Sequence, residues 1–185
     1  MRPRFALTAL SLAILAFGQQ VPRPAGEFAI GMSNGSQVLL SHYTGKVVVL
    51  AFVYTTCPHC QHTAQVLSGI QKEYGPQGLQ VLAAAYNPQA ATLVPDFIQK
   101  YGVNFPMGFV SREEVQEYAQ RPPGKPGYVP ELFFIDRNRV IRFQYSGTDD
   151  FFKDQERNIR TQVELLLKEP VASKKTAHSA RRKRS

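Results

Sequence analysis

Both cysteines of the sequence lie in one short motif, Cys57-Pro58-His59-Cys60. Two thiols separated by two residues can close into a small ring and cycle between dithiol and disulfide. The motif opens a helical pattern, so Cys57 lies at a predicted helix N-terminus, where free N–H groups favour a thiolate. A protonated His59 adds a second positive influence. Cys60, one turn further along, is expected to be buried and protonated. We therefore predict that Cys57 attacks and Cys60 resolves.

Two other uses of a cysteine pair fit this sequence less well. A structural disulfide across such a short ring restricts the unfolded chain less than a long loop would. A structural zinc site needs about four ligands, and the histidines form no second cluster with the cysteines. The histidines are His42, His59, His62 and His178. We predict no metal and no organic cofactor.

The motif lies between a predicted strand and a predicted helix. Residues Val47–Val53 form a continuous β-branched and apolar run, which predicts a strand buried on both faces. From Pro58 to Tyr74 the apolar spacing becomes helical, and Gly75-Pro76 ends it. Further patterns predict hairpins over residues 28–40 and 131–145, strands over 79–86 and 105–110, and helices over 93–101, 112–120 and from 149 or 150 to 168. This alternation indicates an α/β domain with a mixed sheet.

The two ends of the chain are predicted to lie outside the domain. Residues 1–18 combine two arginines with an apolar run and a small residue at the end, which is typical of a signal peptide. An uncleaved N-terminal anchor is the alternative, although the run is shorter than a spanning helix needs. Residues 19–26 contain prolines and glycine and are predicted to be a linker. Residues 27–169 form the domain, and residues 170–185 form a basic disordered tail.

The net charge of +8 belongs to those ends. The tail holds six basic residues and no acid, and Arg2 and Arg4 supply the other two charges. Residues 19–169 carry 14 Lys and Arg and 14 Asp and Glu, so the domain is neutral. The basic pI therefore gives no support to nucleic-acid binding by the folded part.

Residues 26–147 resemble the thioredoxin superfamily, and in particular its exported TlpA/ResA-like branch. The resemblance rests on motifs that occur in the same order as in that branch: the Asn34-Gly35 hairpin, the strand Gly45-Lys46-Val47-Val48-Val49-Leu50, the CxxC at its end, and the segment Tyr128-Val129-Pro130-Glu131-Leu132-Phe133-Phe134-Ile135-Asp136. It implies a thioredoxin-like fold, in which α-helices flank both faces of a central mixed β-sheet. It also implies that Pro130 is cis and faces the sulfurs, and that Val129 offers backbone groups to a substrate cysteine.

Several residues depart from the pattern of those relatives. Thr56 stands where thioredoxins usually have Trp, and Ala51 stands where many relatives carry a buried acid. Thr63 replaces the Glu that TlpA/ResA-like proteins often have, so the usual proton acceptor for Cys60 is missing. Glu131 replaces the usual Thr after the proline. We predict that it is an exposed surface glutamate, with a substitute proton acceptor as the alternative.

The residues between the cysteines resemble those of a different relative. Pro58-His59 is the pair found in strong disulfide oxidases of the DsbA type, which also have Val before the cis-proline, as Val129 is here. A histidine that stabilises the thiolate stabilises the reduced form and makes the disulfide more oxidising. Pro58 and His59 are therefore predicted to tune the redox pair, and both directions of electron flow stay open.

The resemblance implies an exported thiol–disulfide oxidoreductase. Its partners would be thiols and disulfides of exported proteins, with a membrane electron donor as a further partner. We expect an extracytoplasmic monomer, periplasmic or secreted, that contacts the membrane only if the N-terminal segment stays uncleaved.

Two rival functions use related folds. Sco-type copper-delivery proteins share a stretch similar to Thr55-Thr56-Cys57-Pro58, but they need three residues between the cysteines and a distal histidine. Peroxiredoxins place a threonine three residues before the reactive cysteine, where this chain has Tyr54. Both departures make these functions less favoured than thiol–disulfide exchange.

Overall fold

A mixed sheet of eight strands forms the centre of the molecule. The computed structural model describes residues 21–122 and 124–170, so the predicted signal peptide and nearly all of the predicted tail lie outside the described residues. The strands are β1 (Arg23–Pro24), β2 (Ala29–Gly31), β3 (Gln37–Leu39), β4 (Val47–Val53), β5 (Leu79–Ala85), β6 (Met107–Phe109), β7 (Glu131–Ile135) and β8 (Val140–Tyr145). The α-helices are α1 (Pro58–Tyr74), α2 (Ala90–Tyr101), α3 (Arg112–Tyr118) and α4 (Gln155–Lys168).

The order of the strands is β1-β8-β7-β4-β5-β6-β2-β3. β5 pairs in parallel with β4 and with β6, and the other neighbouring strands pair antiparallel. This is the thioredoxin-like α/β fold that the sequence analysis predicted, with a mixed sheet. No helix in the described residues is both long and apolar enough to span a membrane.

β4 is the central strand, and both of its faces are buried. Alternate side chains point to opposite faces of a strand, so its residues divide between two hydrophobic clusters. On one face, Val49 and Ala51 pack with residues from α1, α2 and α4, whereas on the other face Leu50 and Phe52 pack with α3 and the N-terminal hairpin. The helices thus flank both faces, as predicted. The cysteine motif follows the carboxyl end of β4, the central strand.

The predicted linker is wrong at its C-terminal part, because the chain there already belongs to the sheet. Arg23 and Pro24 form β1 and pair with Ile141 and Val140 of β8. The Ala25 N–H also donates to the Arg139 carbonyl at 2.8 Å. Prolines are tolerated on edge strands, and this strand is formed by pairing with residues more than a hundred positions away. Its local sequence therefore gave no strand signal.

Two helix starts also differ from the prediction. α2 begins at Ala90, three residues before the predicted start, which places Pro95 inside the helix instead of in its first turn. A 3-10 turn over Asp150–Asp154 precedes α4. The capping box at Ser111 is confirmed, because its hydroxyl accepts from the Glu114 N–H and the Glu114 carboxylate accepts from the Ser111 N–H.

Candidate active site

A hydrogen-bonded turn connects β4 to α1 and carries the first cysteine. The Thr55 N–H donates to Asn87 Oδ1 at 2.9 Å, and Asn87 Nδ2 donates to the Thr55 hydroxyl at 3.0 Å. The Cys57 N–H donates to the Tyr54 carbonyl at 3.2 Å. These bonds fix the turn at the carboxyl ends of β4 and β5. Asn87 was not predicted to be part of the site, although a polar residue directly after a buried strand is a signal for such a role.

The two thiols lie in different surroundings. Cys57 is the N-cap residue of α1 and is half-buried, with Pro58 in the first turn, a position that suits proline. Cys60 is 0 % exposed, and its sulfur accepts the Tyr54 N–H at 3.4 Å. Burial raises the pKa of the Cys60 thiol, and the adjacent Cys57 thiol raises that pKa further. The structure therefore has the unequal pair that the sequence predicted, one thiol accessible and one buried and protonated.

The segment before β7 lies beside this motif. The Val129–Pro130 peptide bond is cis, as the resemblance implied. Pro130 and His59 line the same cavity of about 260 Å³. Val129 and Cys57 are both half-buried and pack at the margin of the same hydrophobic cluster. The structure thus brings together the residues named from the sequence, and the roles of Pro58, His59, Val129 and Pro130 stay predictions.

Comparison with known proteins agrees with this geometry. Residues 18–144 match the AhpC/TSA family. The chain belongs to that family. It is 31 % identical over 124 residues to the thiol-disulfide oxidoreductase ResA of Bacillus subtilis strain 168, with 67 % of this chain and 66 % of that protein covered. It is 32 % identical over 87 residues to ResA of Halalkalibacterium halodurans, with 45 % and 49 % covered. The chain thus spans just under two thirds of the length of the Bacillus protein and about half the length of the Halalkalibacterium protein.

Solved structures share the same fold. A protein from Chlorobium tepidum, provisionally named thiol:disulfide interchange protein DsbE, superposes with a TM-score of 0.69 at 23 % sequence identity. The superposition covers 81 % of this chain and 99 % of the Chlorobium chain. At this identity the match supports the fold. It confirms that the AhpC/TSA-family chain has the thioredoxin-like architecture.

Metal-ligating residues do not cluster in the part of the chain that the structure describes. No group of three or more His, Cys, Asp or Glu side chains there is arranged to hold a metal ion. His59 and His62 are both exposed on α1. The described residues therefore offer a pair of thiols without a third ligand.

Thr63 occupies a position at which the resemblance led us to expect a glutamate. Thr63 is fully buried, and its hydroxyl lies 2.6 Å from Gln155 Oε1 and 3.0 Å from the His59 carbonyl oxygen. Ala51, where the resemblance led us to expect an acid, is buried in the core. Neither residue can accept the proton of Cys60, in agreement with the sequence analysis.

Gly147, which follows β8, lies against the cis-proline segment. Its N–H donates to the Tyr128 carbonyl at 3.2 Å. A Cβ at this position would lie 2.5 Å from the Val129 carbonyl oxygen and 3.2 Å from the Pro130 nitrogen. Such contacts are shorter than van der Waals distance, so only glycine allows the two segments to approach this closely.

We expect Gly147→Ala to displace the Val129–Pro130 segment and to slow thiol–disulfide exchange, while secondary structure stays unchanged. Overpacking of this kind costs about 1–3 kcal/mol of stability. Insulin-disulfide reduction, circular dichroism and thermal unfolding measure the two effects. Gly69→Ala is the matched control, because nothing lies within 4 Å of a Cβ on that helical glycine. An exchange rate for Gly147→Ala equal to that of Gly69→Ala would contradict the prediction.

Glu131 is buried, so the prediction of an exposed glutamate is wrong. It is 1 % exposed, forms an ion pair with Arg121, and accepts from Gln144 Nε2 at 3.0 Å. Its register partner is Phe52, which places it on the sheet face opposite to the cluster that contains Cys60. The geometry therefore gives no support to Glu131 as a proton acceptor for Cys60. The signal in the sequence was a charged residue at the start of a strand whose other residues are all apolar, because a buried charge needs a partner.

Burial raises the pKa of the Glu131 carboxyl above its ordinary value, against the opposing effect of Arg121. The folded state then holds this proton more tightly than the unfolded chain does. The stability contributed by this carboxyl is complete below the unfolded pKa and is lost as pH rises through the folded pKa. Glu131→Gln stays neutral and avoids that loss.

We therefore expect the free energy of unfolding of Glu131→Gln, relative to wild type, to increase between about pH 4 and about pH 7. Urea unfolding at the two pH values measures this difference. Glu117→Gln, at an exposed position on α3, provides the baseline. If the stability of Glu131→Gln relative to wild type instead fell as pH rises, the prediction would be wrong. Ion pairing with Arg121 would then outweigh burial in setting the pKa of Glu131.

Proposed function

We propose that this protein is a thiol–disulfide oxidoreductase that exchanges the Cys57–Cys60 pair with cysteines of exported proteins. The observation that carries the proposal is the inequality of the two thiols. Cys57 is half-buried at the N-cap of α1, beside the cis-proline segment, whereas Cys60 is completely buried one turn further along. A substrate sulfur can therefore reach Cys57 but not Cys60. The names of the ResA relatives support the same activity.

The first step in the reducing direction takes place at Cys57. Its thiolate attacks one sulfur of a substrate disulfide, a Cys57–substrate disulfide forms, and the other substrate sulfur leaves as a thiolate. The free N–H groups of α1 favour negative charge on Cys57 before the attack, and His59 adds to this effect when it carries a proton. Val129 and Pro130 form the edge along which the extended substrate lies.

The second step takes place at Cys60. Its thiol gives a proton to solvent, and the resulting thiolate attacks the Cys57 sulfur. The Cys57–Cys60 disulfide forms, the second substrate sulfur leaves as a thiolate, and two electrons have passed to the substrate. Because burial keeps Cys60 protonated and no acid stands at Thr63 or Ala51, proton loss is the demanding part of this step. The reverse sequence oxidises a substrate dithiol.

The N-terminal sequence supports a place of action outside the cytoplasm. The pattern of residues 1–18 supports export, so we place the domain outside the cytoplasm, periplasmic or secreted, and attached to a membrane if that segment stays uncleaved. A monomer suffices for the chemistry, because both cysteines belong to one chain. A membrane electron donor would regenerate the dithiol if the protein acts as a reductase.

Insulin reduction and refolding of reduced ribonuclease test the activity in both directions. We expect exchange by the wild type and none by Cys57→Ser. Hydrogen peroxide consumption without disulfide exchange would instead indicate a peroxidase. Tight stoichiometric Cu(I) binding without exchange would indicate a copper-delivery protein.

A further inference from the structure

A second cavity lies between α2 and the turn that carries Cys57. It has a volume of about 360 Å³, which is within the range of ligand sites in proteins. Thr56 and Gln61 border it on the side of the cysteine motif. It is separate from the smaller cavity that Pro130 and His59 line, and none of the exchange steps described above uses it.

The wall that α2 contributes to this cavity is apolar. Leu93, Phe97 and Tyr101 line it at intervals of four residues, so they form one stripe along the helix. Phe97 is 3 % exposed and belongs to the core, and its ring centroid lies 4.8 Å from that of Tyr101. Leu93 and Tyr101 are half-buried, so part of their apolar surface still contacts water. Covering that surface with another apolar group is favourable.

The charged residues at the cavity cancel each other. Asp96 and Lys100 both border it, and both side chains are exposed. Neither takes part in a salt bridge within residues 21–122 and 124–170. The Lys100 ammonium lies 5.4 Å from the Tyr101 ring centroid. Because one acid and one base border the cavity, it does not select a ligand by net charge.

The buried polar groups of the lining already have partners. The Thr55 N–H donates to Asn87 Oδ1 at 2.9 Å, and the Thr55 hydroxyl accepts from Asn87 Nδ2 at 3.0 Å. Gln61 Nε2 donates to the Thr55 carbonyl at 3.1 Å. The cavity therefore offers a ligand apolar surface more than unmet hydrogen bonds, and a large apolar group fits it best.

The position of the cavity ties it to the reacting thiol. Thr56 directly precedes Cys57, and Gln61 lies four residues after Cys57, which places it on the same face of α1. When Cys57 attacks, the residues on either side of the substrate cysteine lie only about 3.8 Å from it, measured between Cα atoms. Their side chains can therefore reach the cavity while the sulfurs react. Contacts made during the attack raise the rate of exchange.

We propose that this cavity binds a large apolar side chain of the substrate, from a residue next to the cysteine that Cys57 attacks. The inference rests on the proposed exchange reaction and adds the class of segment that this reaction favours. Cysteines flanked by phenylalanine or leucine react faster than cysteines flanked by alanine or aspartate. Leu93 and Tyr101 are the residues that contact the incoming side chain, so they determine specificity and take no part in the electron transfer.

Four peptide disulfides test this specificity. Each is a dimer of one short peptide, in which the cysteine is flanked on both sides by phenylalanine, leucine, alanine or aspartate. The second-order rate constant for oxidation of the reduced full chain is measured for each peptide and divided by the rate constant for dithiothreitol, which corrects for the reactivity of the disulfide itself. We expect the phenylalanine and leucine peptides to exceed the alanine peptide about tenfold in this ratio. The aspartate peptide should show no gain.

Substitutions at Leu93 show whether the cavity causes the preference. Leu93→Asp places a charge in the lining and should reduce the advantage of the phenylalanine peptide to about threefold or less. Leu93→Met keeps an apolar side chain of similar volume and should retain the advantage. Leu165→Asp is the matched control, because Leu165 is 48 % exposed on α4 and lies outside the cavity. It should behave as the wild type does.

The outcomes separate this inference from the proposed function. If the wild type exchanged with none of the peptides, the proposed function itself would be wrong. Exchange at equal corrected rates with all four peptides would overturn the inference and leave the function standing. A preference of the same size in Leu93→Asp and Leu165→Asp would also overturn it, because the apolar side chain would then bind elsewhere. The wild-type measurement decides the first two outcomes without any variant.

Discussion

Cys60→Ser is expected to accumulate as a covalent complex with a partner protein through Cys57, whereas Cys57→Ser is not. Cys57 is half-buried at the start of α1, so a partner sulfur can reach it. Cys60 is 0 % exposed and can attack only the neighbouring Cys57 sulfur. When Cys60 is replaced, the first step still forms a mixed disulfide, and no thiol remains in the protein to resolve it.

Non-reducing gels and mass spectrometry of complexes from the native host measure this trapping. We expect the complexes to increase many-fold over wild type in Cys60→Ser and to disappear when the sample is reduced. The double variant Cys57→Ser/Cys60→Ser is the control for association without a disulfide. Equal trapping by the two single variants would overturn the assignment of an attacking and a resolving thiol. The identified proteins would also show whether the partners are exported.

The Cys57–Cys60 disulfide is expected to be more oxidising than that of thioredoxin, whose potential is about −270 mV. The N-terminus of α1 favours the thiolate and hence the reduced form, and so does His59 when it carries a proton. Equilibration with glutathione buffers measures the potential. We expect a value at least ~30 mV more positive than thioredoxin, which corresponds to about 1.4 kcal/mol for this two-electron couple.

His59→Ala separates the contribution of the histidine from that of the helix. It should move the potential in the negative direction, because the reduced form loses a stabilising charge. His62→Ala, three residues further along the same helix and also exposed, is the matched control and should leave the potential unchanged. A wild-type potential of about −270 mV, or equal shifts in His59→Ala and His62→Ala, would contradict the prediction that Pro58-His59 makes this pair oxidising.

The residues around the cysteines could be predicted because their signals are local. The seven apolar residues of β4 and the helical spacing of α1 gave both elements with the observed bounds. The Asn34-Gly35 turn and the Ser111 capping box were also correct, since each depends on residues within four positions of one another. The unequal burial of Cys57 and Cys60 followed from their places one turn apart on such a helix.

The surroundings of Arg23 and Glu131 could not be predicted in the same way. Arg23 looked like part of a linker, and Glu131 looked like a surface residue. The first pairs with β8, and the second forms an ion pair with Arg121 from the loop before β7. Neither partner is marked by a periodic pattern, because the contacts arise when separate segments pack against each other.

The sequence by itself determined that two thiols of unequal character stand at the end of a buried strand in a neutral domain, and that six of the chain's eight net positive charges lie in a C-terminal tail outside that domain. Only the tertiary structure decided which polar groups are buried with partners and which are buried without them. Local spacing fixes the direction of each side chain relative to its own strand or helix. Burial and charge pairing depend on neighbours that the fold brings together from distant parts of the chain, and for this reason the buried glutamate and the cavity between α2 and the Cys57 turn became visible only in three dimensions.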